Sequence, residues 1–199
     1  MEKPAPAKYP IHDLISRRWS PRAFSSKPVE REKIQSLLEA ARWAASCFND
    51  QPWYFILATK EDPIEFERLV NCLVPGNVEW ASKAPVVMLS VARLGYAYNG
   101  KPNNWAKHDV GQAAANICVQ ATALGLQVHQ MAGYDAAKAR ETYGIPEGFD
   151  PVAMMVIGYP GEPGSLPEKL QKQEMSPRER KSMAECVFSR KWGQPWAGL

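Results

Sequence analysis

Near the N-terminus, Arg18-Trp19-Ser20-Pro21-Arg22-Ala23-Phe24 sets two permanent cations, a hydroxyl and two aromatic rings side by side. Pro21 fixes its own φ and biases Ser20 towards an extended shape. Alternate side chains of an extended segment share a face, which would put Arg18, Ser20 and Arg22 together. That row suits a phosphate or another oxyanion, because Arg offers a planar fork of donors and Ser a short one. The same residues also describe a solvated basic turn after a short helix. A second stretch, Ala45-Ser46-Cys47-Phe48-Asn49-Asp50-Gln51-Pro52-Trp53, carries amides that both donate and accept. Asn49 and Gln51 could read the polar edge of a heterocycle, or could cap their own Pro-containing loop.

Together these stretches resemble the nitroreductase family of flavoproteins. That family opens with Arg-x-Ser-x-Arg/Lys-x-Phe, continues through a helix ending in Ala-Ala, and then has a Pro-Ser-Ser-x-Asn-x-Gln-Pro-Trp loop leading into a strand. The match runs in register through Arg18, Ser20, Arg22, Phe24, Ala40, Ala41, Ser46, Asn49, Gln51, Pro52 and Trp53. The Arg-Trp-Ser-Pro-Arg form looks like one subgroup of short members.

The resemblance implies bound FMN, with NADH or NADPH as electron donor and a small oxidised acceptor such as a nitroaromatic or quinone. It places Arg18, Trp19, Ser20 and Arg22 at the flavin phosphate, and Asn49 and Gln51 at the ring. Ser46 and Cys47 would reach the FMN of the other subunit. Cys47 stands where relatives have serine, and a thiol is the weaker donor, so contact through its backbone or by packing is expected. Gln130, Met131, Ala132 and Gly133 match the strand end that lies along the flavin beside N5. Arg180 and Lys181 match an Arg-Lys-Pro-Leu signature whose arginine meets the phosphate, although Ser182 replaces the proline. No side chain is assigned as acid, base or nucleophile. Asn77, Glu79 and Lys83 are the residues available near the family's position for stabilising N1 and O2 of the reduced ring. His108 and Asp109 resemble an acid–base pair, but a helix N-cap is the expected role of Asp109.

The elements that must position these groups follow from periodicity. The chain has 199 residues, enough for one sizeable core in a single domain. Residues 1–9, with three prolines, read as a loose N-terminal arm. A short helix should end near Arg18, and Ile34, Leu37, Leu38 and Ala41 mark an amphipathic helix over 30–45. Strands are expected over 53–59, buried on both faces, and over 85–91, 126–132 and 151–158. Asp62-Pro63-Ile64-Glu65 is a helix start, with Pro75-Gly76 as that helix's end. Residues 93–107 form a long polar and aromatic loop, either a lid or a solvent loop; in the resembled family this region covers the substrate. The helix over 109–124 carries a small-residue face that could pack on its own sheet or on a second copy. Asp135 caps a helix that Gly144 stops. The segment 166–199 is basic at first, but Val187, Phe188, Trp192 and Trp196 are too apolar for a free tail. The resulting expectation is an α+β, nitroreductase-like fold: a central mixed sheet of four or five strands, flanked by helices. The resemblance implies an intertwined homodimer in which 166–199 docks on the partner subunit.

Composition bounds the alternatives. A net charge of +3 and 23% charged residues do not call for a nucleic-acid partner. Four scattered cysteines and three scattered histidines offer no metal-ligand spacing. The absence of a long apolar run or signal segment leads to an expected cytoplasmic, membrane-free protein. Both the dinucleotide fingerprint and the phosphate loop are missing. Two other readings stay open: a different flavin reaction such as reductive dehalogenation or enone reduction, and a non-enzymatic module that binds anions or nucleic acid through Arg18, Arg22 and the Arg178–Lys181 cluster.

Overall fold

The computed structural model describes residues 2–199. Strands β1 (Trp53–Thr59), β2 (Val86–Arg93), β3 (Gln127–Met131) and β4 (Phe149–Gly158) form one sheet in the order β1-β2-β4-β3. All its pairings are antiparallel, so the mixed sheet expected from the sequence is corrected to an antiparallel one within the described residues. Among the described residues seven α-helices accompany it: α1 (Asp13–Arg17), α2 (Arg31–Arg42), α3 (Pro63–Val70), α4 (Pro75–Ala81), α5 (Ala106–Ala123), α6 (Ala136–Tyr143) and α7 (Glu168–Met175).

The two central strands alternate between two cores, as period-2 geometry requires of a strand covered on both faces. Val87, Leu89, Met154 and Val156 pack with Phe66, Leu69 and Trp80 on one side. Val86, Met88, Met155 and Ile157 pack with Leu37, Ala113 and Ile117 on the other. The small-residue face of α5 therefore lies on its own chain, against α2 and the sheet. Pro151 has no N–H to give the ladder, and the β2–β4 register shifts between Ser90 and Val91 to accommodate it. Ser90 Oγ bridges the shift, donating to the Ala153 carbonyl at 3.0 Å and accepting its N–H at 3.2 Å.

Three local expectations change. β1 is an edge strand paired only with β2, so it is half-buried rather than covered on both faces, and Tyr54 is exposed. Pro75 opens α4 at its first turn instead of closing α3, because a proline without an N–H fits a helix start. α5 begins three residues before Asp109, so Asp109 lies in the first turn and its carboxylate turns inward. Asp62 and Asp135 do cap α3 and α6, and Gly144 ends α6 at φ +58°.

The N-terminal arm is tied down. Ala5 N–H bonds the Ser16 carbonyl at 2.9 Å, Lys3 Nζ stands 4.9 Å over the Trp19 ring, and Arg178 Nη1 donates to the Lys3 and Ser16 carbonyls at 2.7 and 2.6 Å. Residues beyond α7 carry little regular structure, and most are exposed. No described helix is long and apolar enough to cross a membrane.

Candidate functional site

The basic stretch leaves α1 in an extended conformation and is held from three directions. Behind it, the Phe24–Pro160 bridge brings Gly161 so close that a Cβ there would lie 2.5 Å from the Phe24 carbonyl carbon. From α7, the buried Glu174 carboxylate accepts the Arg22 N–H at 3.0 Å and the Ala23 N–H at 3.1 Å. From β3, His129 Nδ1 donates to the Pro21 carbonyl at 2.7 Å, and its ring packs 4.6 Å from that of Trp80. Burial pulls His129 down to about 4, helped by the nearby Arg22 charge and opposed by the hydrogen bond to Pro21.

Arg18 Nη1 lies 3.4 Å from Ser20 Oγ, so these two share a face as expected. Arg22 instead sets its guanidinium 5.8 Å from the Trp80 ring centroid. Trp19 is buried, which leaves only its backbone to a ligand. The far end of the chain joins this region. Arg178, bound to the Lys3 and Ser16 carbonyls, is lowered by burial and, less, by the charges of Arg18 and Arg180. Sequence reasoning named Arg178 only within the Arg178–Lys181 cluster of the anion-binding alternative; its only local signal was the charge cluster itself. Arg180 and Lys181 are exposed, with Arg180 Nη1 donating to the Glu179 carbonyl at 2.6 Å.

The second stretch leaves α2 and forms a 3-10 turn over Cys47–Asn49. Phe48, Asn49 and Gln51 hold φ of 55°, 54° and 50°, a region that costs non-glycine residues energy and persists only with outside support. The support is polar. Ser46 Oγ accepts the Gln51 N–H at 3.0 Å, and Asp109 Oδ2 accepts the Cys47 N–H at 3.0 Å. Gln51 Nε2 donates to the Asn49 carbonyl at 3.1 Å, so its amide caps the loop. The Asn49 side chain is exposed at the loop's edge. Cys47 Sγ lies 3.5 Å from the Tyr96 hydroxyl; that contact, with burial, pushes Tyr96 up to about 12. Asp109 is therefore not the N-cap expected of it. His108 Nδ1 sits 3.1 Å from its other oxygen, and the carboxylate's inward role is to fix Cys47.

The third part is the end of β3. Met131 is buried in the core, whereas Gln130 and Ala132 are exposed and Gln130 Nε2 donates to Cys118 Sγ at 3.4 Å. The Gly133 carbonyl accepts the Val74 N–H at 3.1 Å and Asn77 Nδ2 at 2.9 Å. A Cβ at Gly133 would meet Asn77 Nδ2 at 2.4 Å, so glycine is what lets α4 clamp this strand end. Of the three residues available for the flavin's N1 and O2, Asn77 is thus engaged with Gly133, and Lys83 donates to the Ser165 carbonyl at 3.0 Å. Within this chain the structure joins the basic stretch to β3 through His129, and sets Arg178 on Ser16 just before that stretch. Ser46–Gln51 sits apart from them, against Asp109 and the 93–107 segment. Among the described residues no cluster of His, Cys, Asp and Glu could hold a metal ion.

Known proteins share this architecture. A solved structure described as an oxidoreductase containing FMN is similar with a TM-score of 0.89 at 33% identity, covering 94% of this chain and 96% of that one. A protein of Archaeoglobus fulgidus named "Putative NADH dehydrogenase/NAD(P)H nitroreductase" is 29% identical over 152 residues, which is 74% of this chain and 83% of its own length. An uncharacterised 15.4 kDa protein of Mycolicibacterium smegmatis is 30% identical over 130 residues, 65% of this chain and 86% of its own length. The family model for the nitroreductase family matches residues 15–159, and the chain belongs to that family.

Proposed function

We propose that this protein is an FMN-dependent oxidoreductase that moves a hydride from NADH or NADPH to a nitroaromatic, quinone or similar small oxidised acceptor. It works as a homodimer whose flavin sites draw on both subunits. The observation that carries the reading is Arg178 bound at 2.6 Å to the Ser16 carbonyl, 162 residues away and just before the Arg18–Phe24 stretch, in a chain similar along most of its length to an FMN-containing oxidoreductase.

The donor set fits a flavin phosphate. Burial and two neighbouring arginines lower Arg178, and none of these influences is an anion. A doubly charged phosphoester would relieve the repulsion. Each charge-assisted hydrogen bond it accepts in a partly dry site is worth roughly 1.5–3 kcal/mol. Arg18, Ser20 and the backbone around Trp19 and Arg22 would hold the phosphate, with Arg180 and Lys181 closing over it. The Ala132-Gly133 backbone would offer N–H groups to the ring, and Asn49 its amide. Ser46 and Cys47, whose loop is remote from the arginines of its own chain, would serve the site of the other subunit. Bound flavin would supply the redox chemistry between the two substrates. The side chains bind, orient and limit access; none is placed as an acid or base.

The test is an absorption spectrum of the native protein. A yellow protein that NADH or NADPH bleaches without oxygen is the expected result. A colourless protein that cannot take up added FMN overturns the reading. Comparing nitro, quinone and halophenol oxidants then assigns the acceptor class.

A further inference from the structure

Between Asn49 and Gln51 lies a residue to which the proposed function gives no part. The Asp50 side chain is 1% exposed. Its Oδ1 accepts the Ala97 N–H at 2.7 Å, its Oδ2 accepts Asn103 Nδ2 at 3.1 Å, and the Arg93 guanidinium pairs with that Oδ2 at 3.1 Å. Every one of these donors belongs to the 93–103 segment. Arg93 returns the attachment, donating from Nη2 to the Asp50 carbonyl at 3.1 Å and from its N–H to Pro52 at 2.9 Å. Asn103 is itself buried, and its Oδ1 caps the turn into α5 by accepting the Trp105 N–H at 3.0 Å. A buried carboxylate with all its partners on one segment holds that segment strongly, because releasing it would strand a charge away from water.

The held segment carries aromatic rings onto the loop. Tyr96 and Tyr98 meet Phe48 edge-on at 5.9 and 6.1 Å, and lie 5.4 Å from each other. Phe48 is 78% exposed and Tyr98 64%, so this is an aromatic wall open to a ligand rather than a core. Phe48 also keeps its left-handed backbone there, next to Asn49.

We propose that Asp50 is the positioning residue that locks segment 94–103 to the loop bearing Asn49, and that the wall it sets, Phe48 with Tyr96 and Tyr98, selects planar aromatic acceptors. This rests on the reading of that loop as part of the flavin site. A flat, electron-poor ring would stack on or edge against these rings; an aliphatic oxidant would gain little from them.

Asp50→Asn puts an amide against two donors, and Asn103→Ala cuts the latch from the other side without touching the loop. In each holoenzyme variant the KM for a nitroaromatic should rise about tenfold, the loss expected of one buried charged hydrogen bond. The kcat should stay within about twofold and the KM for a small aliphatic oxidant should not move. The double variant should be no worse than the worse single one, since both break the same contact. Amide exchange at Ala97 should accelerate in both variants. An unchanged nitroaromatic KM, equal losses for both oxidants, or multiplying effects would each overturn the proposal. If the protein binds no flavin, the functional reading fails, the acceptor role fails with it, and exchange at Ala97 then decides the latch by itself.

Discussion

His129 shows how one buried side chain can serve a site it does not enter. Its Nδ1–H holds the Pro21 carbonyl, and its neutral form is the one that fits between Trp80 and the Arg22 charge. Burial lowers its folded value to about 4 from an ordinary 6.5. Above pH 6.5 the ring is neutral folded or unfolded and nothing is lost. As pH falls from 6.5 towards 4, the unfolded chain takes up a proton that the native one refuses, so stability declines across that window. The full separation corresponds to about 3 kcal/mol. Urea unfolding of the wild type should show that slope, and His129→Gln, which keeps a donor but cannot titrate, should flatten it. An identical slope in the variant would assign the decline to other groups.

Among the elements, α7 has the least obvious purpose until Glu174 is considered. The helix is short and mostly solvated, yet its one buried carboxylate lies against the backbone N–H groups of Arg22 and Ala23, 152 residues away for Arg22. α7 therefore sets the shape of the Arg18–Phe24 stretch, as Gly161 does from the preceding turn. Glu174→Gln should weaken FMN binding about tenfold, since one accepting oxygen becomes a donor facing donors. Fluorescence titration with FMN measures this, and unchanged affinity would show that His129 and Gly161 suffice. The elements that were legible in the sequence were those set by near neighbours. The bounds of β1, the Asp62 and Asp135 caps and the Gly144 stop each depend on residues within a few positions. Asp109, Glu174 and Asp50 were misread or passed over because their partners are distant, 62 residues away for the Asp109–Cys47 contact. A carboxylate near a helix start looks like a cap whether it turns outward or in. For the same reason the sequence marked Arg18, Ser20 and Asn49 through a motif, but gave no sign of the supports that hold them.

At the scale of the whole molecule the C-terminal segment is the unfinished part. Beyond α7 its order is local: a 3-10 turn over Met183–Glu185 capped by Ser182, and a narrow hairpin closed by the Phe188–Pro195 bridge and the Phe188–Trp192 ring contact at 5.2 Å. Trp192 is 91% exposed and Trp196 52%, with Met183 and Val187 beside them. Such a run of large apolar side chains is expensive in water and typical of an interface core. It also follows directly on Arg178 and Arg180, so whatever covers the tail would steady the residues that the proposed function sets at the phosphate. A second copy of this chain is the occupant that the proposed two-subunit flavin site requires. The protein should therefore sediment as a dimer at micromolar concentration. Trp192 should be shielded from acrylamide in that dimer, read as the difference in quenching between wild type and Trp192→Phe, since the chain has seven tryptophans. Trp192→Ser with Trp196→Ser should cost about 2–4 kcal/mol per anchor, shift the protein towards monomer and release its flavin in step. A yellow monomer with quencher-accessible Trp192 would show that one chain completes the site alone, and that the tail serves some other contact.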